Sequence, residues 1–147
     1  MVSALDVAAF ILREKGPMTT MKLQKLVYYS QAWSLVWDEE PLFSEEIQAW
    51  ANGPVVPELF HAHKGLFRVD SIPDGDPSKL DAKQIDTIRG VLGYYGDRKS
   101  QWLSDLTHME DPWKNARKGC PEGASSCAAI SLADMAEYYG SLPPESL

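Results

Sequence analysis

A single, mainly α-helical domain is the fold this sequence predicts, on three observations. Apolar residues recur at three- and four-residue spacing along several separate stretches. Capping pairs open three of those stretches: Ser3-x-x-Asp6, Asp81-x-x-Gln84 and Ser131-x-x-Asp134. The 147 residues, 44% hydrophobic and 24% charged, have an ordinary globular balance. A chain of this length hides about 70% of its unfolded surface, enough to fold without metal or disulfide staples. No internal repeat and no linker divides it, so residues 1–147 read as one domain, with a frayed tail over about 141–147.

The first helix runs from Ser3 to Lys15, with Leu5, Ala8, Ala9 and Leu12 at helical spacing and Gly16-Pro17 as its stop. The hydroxyls of Thr19 and Thr20 can cap a second helix, about Met21 to Trp37, whose stripe is Leu23, Leu26, Val27, Trp33 and Trp37. Lys22 and Lys25 lie off that stripe. Residues 42–50 alternate loosely and read as a short β hairpin or an extended edge. Asn52-Gly53-Pro54 is a turn signal, because glycine accepts positive φ while proline fixes the next φ.

Pro57 suits the first turn of a short helix, Glu58 to Lys64. Residues 67–77 read as a surface loop rich in Asp, Pro and Gly. Asp81 then opens a helix carrying Ile85, Ile88, Val91, Leu92 and Tyr95, closed by Gly96. Ser100 can cap the next, with Trp102, Leu103 and Leu106. Asp111-Pro112-Trp113 places Pro112 at N1 behind an Asp cap, giving a short helix to Arg117. Ser131 caps a last helix through Tyr139.

With 14 Lys+Arg against 21 Asp+Glu, the net charge is −7, which disfavours phosphate backbones and anionic lipid surfaces. No nucleic acid and no membrane is expected as a partner. Asp6 precedes any apolar run of signal length and no stretch approaches about 18 apolar residues, so a cytoplasmic protein is expected. Cys120 and Cys127 could close a short loop, but in such a compartment two free thiols are the simpler expectation.

Catalytic and metal signatures are missing. His61 and His63 on a helix point to different faces and do not converge on a metal. Asp74-Gly-Asp76 lacks the further oxygen ligands of a calcium loop. There is no G-x-S-x-G elbow, H-E-x-x-H helix or glycine-rich phosphate loop. No cofactor is expected. A small hydrolase would have to use His108 with Asp105 or Glu110, and no substrate class is indicated.

Aromatic residues say more. Trp113 behind Pro112 either plugs an inter-helix corner or offers a rigid surface to a partner, with His108 just before it. The segment Trp50-Ala-Asn-Gly53-Pro54-Val-Val-Pro57 either orients the following helix or belongs to a contact surface. Five Trp and six Tyr leave Tyr28, Trp50, Phe60, His108, Trp113 and Tyr138 as partner-binding candidates. Gly53, Pro54, Pro57 and Pro112 are candidates for shaping the backbone.

Four of these motifs in order carry a resemblance. Lys22-Leu-Gln-Lys-Leu-Val-Tyr-Tyr29, then Trp50-Ala-Asn-Gly-Pro-Val-Val-Pro57, then Leu106-Thr-His108 with Pro112-Trp113, then Met135-Ala-Glu-Tyr-Tyr139 together resemble the Panacea domain. This is the SocA-like antitoxin family, which includes phage-associated, GepA-type proteins. The likeness runs from about Leu5 to Tyr139 and makes residues 1–147 a single Panacea-like domain. It implies a non-enzymatic antitoxin of a type II-like toxin–antitoxin system that neutralises a cognate protein toxin by direct binding. One family member is a proteolytic adaptor delivering its toxin to a protease, which is the alternative mechanism. No catalytic residues come with the family. The acidic balance suits a basic toxin, and a homo-oligomer is left open.

Overall fold

A computed structural model describes residues 2–121, 123–125 and 128–143. The helices are α1 (Ala4–Lys15), α2 (Thr20–Trp37), α3 (Pro57–His63), α4 (Ala82–Tyr95), α5 (Ser100–Met109), α6 (Asp111–Ala116) and α7 (Leu132–Gly140). Four short strands, β1 (Met18–Thr19), β2 (Gln48–Trp50), β3 (Gly53–Val55) and β4 (Arg68–Val69), form two antiparallel pairs among the described residues. The mainly helical domain expected from the sequence is the fold found.

Local chemistry sets most helix starts. Ser3 and Asp6 form a reciprocal capping box, as do Asp81 and Gln84, while Thr19 and Ser131 accept from the third amide of their helices. Two starts lie one residue earlier than the sequence suggests. Lys99 and Glu110 occupy the N-cap positions of α5 and α6, so Ser100 and Asp111 are already helical. Ser100 instead meets the hydroxyl of Thr19. Pro112 still sits in the first turn of α6, where its missing N–H is not needed.

The organising element is α2, which packs against α1, α4, α5, α7 and β3. Every residue from Leu23 to Ser34 is buried. The expectation of one apolar stripe is therefore corrected: Lys25, placed off the stripe, is only 1% exposed. A helix enclosed on all sides has no solvent face to give its polar residues, so each needs a partner in the interior. Ser30 donates to its own helix at Leu26 O (2.8 Å). Gln31 donates to Phe43 O (2.8 Å) and accepts from Leu42 N (2.6 Å). Gln24 likewise donates to Val56 O (3.3 Å) and accepts from Val56 N (2.9 Å). Each glutamine presents its amide as a substitute peptide group, fixing extended chain that no strand pairs.

That arrangement relocates the expected strand pair. Leu42 and Phe43 are held by Gln31, and the hairpin lies further on, with Gln48↔Val55, Ala49↔Pro54 and Trp50↔Gly53 in register. Its outer edge is extended by Ala49 N to Ala128 O (2.9 Å) and Ile130 N to Ile47 O (2.8 Å). Gly53 has φ +121°, as the turn signal predicts. Segment 67–77 is more than a surface loop: β4 pairs Met18↔Val69 and Thr19↔Arg68, and Val69 and Ile72 are buried. Asp6, besides closing its capping box, accepts Asp76 N at 2.8 Å and ties that segment to α1.

Candidate functional site

Two buried polar constructions and one cavity lie around the hairpin and α2. The first fixes the hairpin. Four consecutive carbonyls are each bound by a side chain from residues 104–117. Arg117 Nη1 donates to Ala49 O and Trp113 Nε1 to Trp50 O, both at 2.8 Å. The His108 ring reaches Ala51 O (Nε2, 2.8 Å), and Ser104 Oγ donates to Asn52 O (2.8 Å). The other His108 nitrogen, Nδ1, lies 2.5 Å from Ser104 O. Residues one helical turn apart on α5, continued by the short α6, thus read the turn carbonyl by carbonyl. A tight turn leaves these acceptors unpaired, and buried carbonyls need donors.

Both ring nitrogens of His108 are engaged by the main chain, and the ring packs against Trp113 with centroids 4.1 Å apart. Neither proposed catalytic partner joins it. Asp105 accepts from Gln101 (2.8 Å), and Glu110 turns into the core. Of the expected contact residues, His108 and Trp113 are half-buried supports of the hairpin. Pro54 and Pro112 are buried with it. Pro57 opens α3 at its first position.

The second construction is an aromatic cluster around Glu110. Tyr29 and Tyr139 each donate a hydroxyl to the same oxygen of Glu110 at 2.7 Å. The Tyr28 hydroxyl lies 3.0 Å from that of Tyr139, whose own proton is committed to Glu110, so Tyr28 donates. Tyr29 stacks on Tyr95 at 4.0 Å, and Tyr95 accepts from Trp33 Nε1 at 3.0 Å. Burial pushes the Glu110 carboxyl up to about 7 against the lowering effect of its two phenol donors. Tyr28, offered by the sequence as a surface anchor, is 1% exposed and is corrected to a core residue. Tyr138 stays half-buried at the edge of this cluster, edge-on to Tyr139 at 5.0 Å.

A cavity of about 430 Å³ opens between α2, the hairpin and α3. Trp50 and Phe60 line it with ring centroids 5.0 Å apart, and Met21, Val55, Gln24, Lys25 and His63 complete much of the wall. Gln24, its amide oriented by Val56, donates to His63 Nε2 at 3.0 Å. Burial lowers the pKa of that histidine. The Lys25 ammonium donates to Pro54 O at 3.3 Å, and burial pulls its pKa down to about 7. Beside the cavity wall, Thr20 N donates to Phe67 O (2.9 Å), and Leu66 and Phe67 are exposed.

Sequence reasoning thus singled out Trp50 and Phe60, which line the cavity, and Gly53 of the hairpin, but missed the parts played by Lys25, Gln24, His63, Ser104 and Arg117. The i, i+4 spacing of Ser104 and His108 is a readable signal of one helix face, whereas Trp113 lies on the separate helix α6. No local signal tied that face to a turn some fifty residues away. Among the described residues no cluster of three His, Cys, Asp or Glu is placed to hold a metal. No described helix is long and apolar enough to cross a membrane. The pairing of Cys120 with Cys127 lies outside the described residues, as do the tail residues from Pro144.

No curated protein and no solved structure matches the chain. One family model does, described as Antitoxin SocA-like, Panacea domain, over residues 23–114. That stretch is narrower than the motif span, leaving out α1 and α7, but it holds most of α2, the hairpin, most of the cavity wall and three of the four side chains that fix the turn, Ser104, His108 and Trp113. Because it takes in more than half of the residues, the chain belongs to the SocA-like antitoxin, Panacea domain family.

Proposed function

We propose that this protein is the antitoxin of a type II-like toxin–antitoxin pair and neutralises a cognate protein toxin by binding it directly. Membership of the SocA-like antitoxin family carries this reading. The surface it would use is apolar: Trp50 and Phe60, half-buried at the cavity, and the exposed Phe67 and Leu66 (78% and 53%), tied to the cavity wall through Thr20. Rigid aromatic residues of this kind anchor interfaces, because they desolvate large area at little entropic cost. Tyr138, half-buried on α7, is a second contact of the same type. The excess of seven negative charges favours a basic toxin and would speed the encounter at low salt. In this reading the protein acts by occlusion in the cytoplasm, without catalysis, and His108 and Trp113 serve by holding the hairpin.

Co-expression with the small open reading frame beside its gene tests the reading. The neighbour should arrest growth alone and be harmless beside this protein. A neighbour that is harmless alone, or still toxic in company, would contradict it. The toxin's half-life separates mechanisms: occlusion lengthens it, whereas a proteolytic adaptor shortens it.

A further inference from the structure

Lys25 has no part in the function proposed above. It is the one lysine buried among the described residues, halfway along the enclosed helix α2. An ammonium carries three N–H donors, and among the described residues it forms a single hydrogen bond, of 3.3 Å, to Pro54 O. None of the ion pairs among the described residues includes it. The other buried ionic groups are better served: Glu110 receives two phenol hydroxyls, and Arg117 spreads its donors over the carbonyls of Ala49, Pro121 and Ala124.

Its position is built into the fold. A β-carbon on Gly53 would lie 2.5 Å from Lys25 Cε and 3.1 Å from Nζ. Gly53 therefore leaves the space that the end of this side chain fills. The same side chain forms part of the wall of the 430 Å³ cavity, where Gln24 and His63 are bonded to each other and Thr20, Asn52 and Ser125 are the other polar residues. The remaining wall is largely aromatic and aliphatic: Trp50, Phe60, Val55 and Met21. Apolar walls with one under-used charged donor are the make-up of a small-ligand pocket, and the volume falls in the usual range.

We propose that this cavity binds a carboxylate carried on an apolar, ring-sized body, with Lys25 as its counter-ion and Trp50 and Phe60 flanking the ring. A single negative charge fits a single lysine. A phosphate dianion would want a second cationic side chain, and Lys25 is the one Lys or Arg on the wall. A cationic ligand is repelled, and a neutral ring leaves the ammonium no better satisfied. With its pKa held near 7 by burial, the amine gains a proton as the carboxylate enters at neutral pH. Such a carboxylate comes from two sources, a free small molecule or the C-terminal residue of a protein chain. The inference does not depend on the toxin-binding reading.

The test titrates the full chain near pH 6.5 with 3-phenylpropionate and its neutral isostere 3-phenylpropanamide, followed by amide chemical shifts. The tripeptide Gly-Gly-Phe is added in parallel as the free acid and as the C-terminal amide. The acids should bind about tenfold more tightly than their amides, the size of one charge-assisted hydrogen bond, and shift the signals of Trp50, Phe60 and Gln24. Tighter binding of the tripeptide acid assigns the site to a chain terminus, and tighter binding of 3-phenylpropionate assigns it to a small molecule. Lys25→Met, its fold checked by thermal melting, should bind acid and amide alike. If that variant does not fold, the acid-to-amide ratio of the unsubstituted chain decides alone. No binding of either acid at millimolar concentration, equal binding of acid and amide, or a preference that persists in folded Lys25→Met overturns the proposal.

Discussion

The ε-carbon of Lys25 lies 2.5 Å from where a β-carbon on Gly53 would stand, so any side chain at the hairpin glycine has to displace the end of the buried lysine. Gly53 is also at φ +121°, a conformation that L-residues rarely adopt. Gly53→Ala should lower stability by about 2–4 kcal/mol, combining backbone strain with overpacking. Coupling with Lys25 is expected as well: in a double-mutant cycle with Lys25→Ala, the overpacking part should be relieved by about 1 kcal/mol while the strain remains. Chemical denaturation of the four proteins measures both. Strict additivity would show that the lysine moves aside freely.

Lys25 should make stability rise with pH. Its amine is held at about 7 in the fold against an ordinary 10.5. Between those values the unfolded chain binds more protons, so stability increases as pH climbs through the window. Lys25→Met keeps the aliphatic length and removes the charge. It should be the more stable protein at pH 6, by about 3–5 kcal/mol, with the difference vanishing above about pH 10.5. Thermal melts across this range measure the gap. A methionine variant less stable at pH 6 would show that the ammonium is well solvated or paired.

Glu110 acts with the opposite slope. Its carboxyl sits at about 7 in the fold against an ordinary 4.5, so the native state holds its proton longer. Stability therefore falls as pH rises from 4.5 to 7, by about 3 kcal/mol. Glu110→Gln retains an oxygen that can accept from Tyr29 and Tyr139 but cannot ionise. The two proteins should coincide below pH 4.5 and separate above 7, with the glutamine variant the more stable. Parallel curves across that range would contradict the assignment.

Trp113 tests the hairpin support. Its indole N–H holds Trp50 O at 2.8 Å and its ring covers His108. Trp113→Ala should cost about 2–4 kcal/mol through lost packing and an orphaned carbonyl. Trp113→Phe keeps the ring but not the donor and should cost about 1 kcal/mol. Denaturation of both variants separates packing from hydrogen bonding. If both retain full stability but lose toxin neutralisation, Trp113 is a contact residue instead.

Much of the fold was legible because caps and periodicity are local. Ser3 with Asp6, Asp81 with Gln84, and Ser131 announce their helices within four residues. The burial of Lys25 was not legible, since a single-stripe reading assumes a helix with a wet face and α2 has none. Gln24 and Gln31 carry polar amides and have no place on an apolar stripe. They are polar because they replace strand partners for Val56 and Phe43. The candidate site was half visible: Trp50 and Phe60 stood out as aromatic surface, while the Ser104, His108 and Arg117 contacts to the hairpin span more than fifty residues.

The central claim is that this acidic domain silences a toxin by covering it. The most direct measurement titrates the purified product of the adjacent open reading frame with this protein, in the absence of any protease, and follows the toxin's own activity. The account predicts stoichiometric loss of that activity, with a stable complex weakened by Phe60→Ala. A toxin that stays fully active under saturating protein would contradict it.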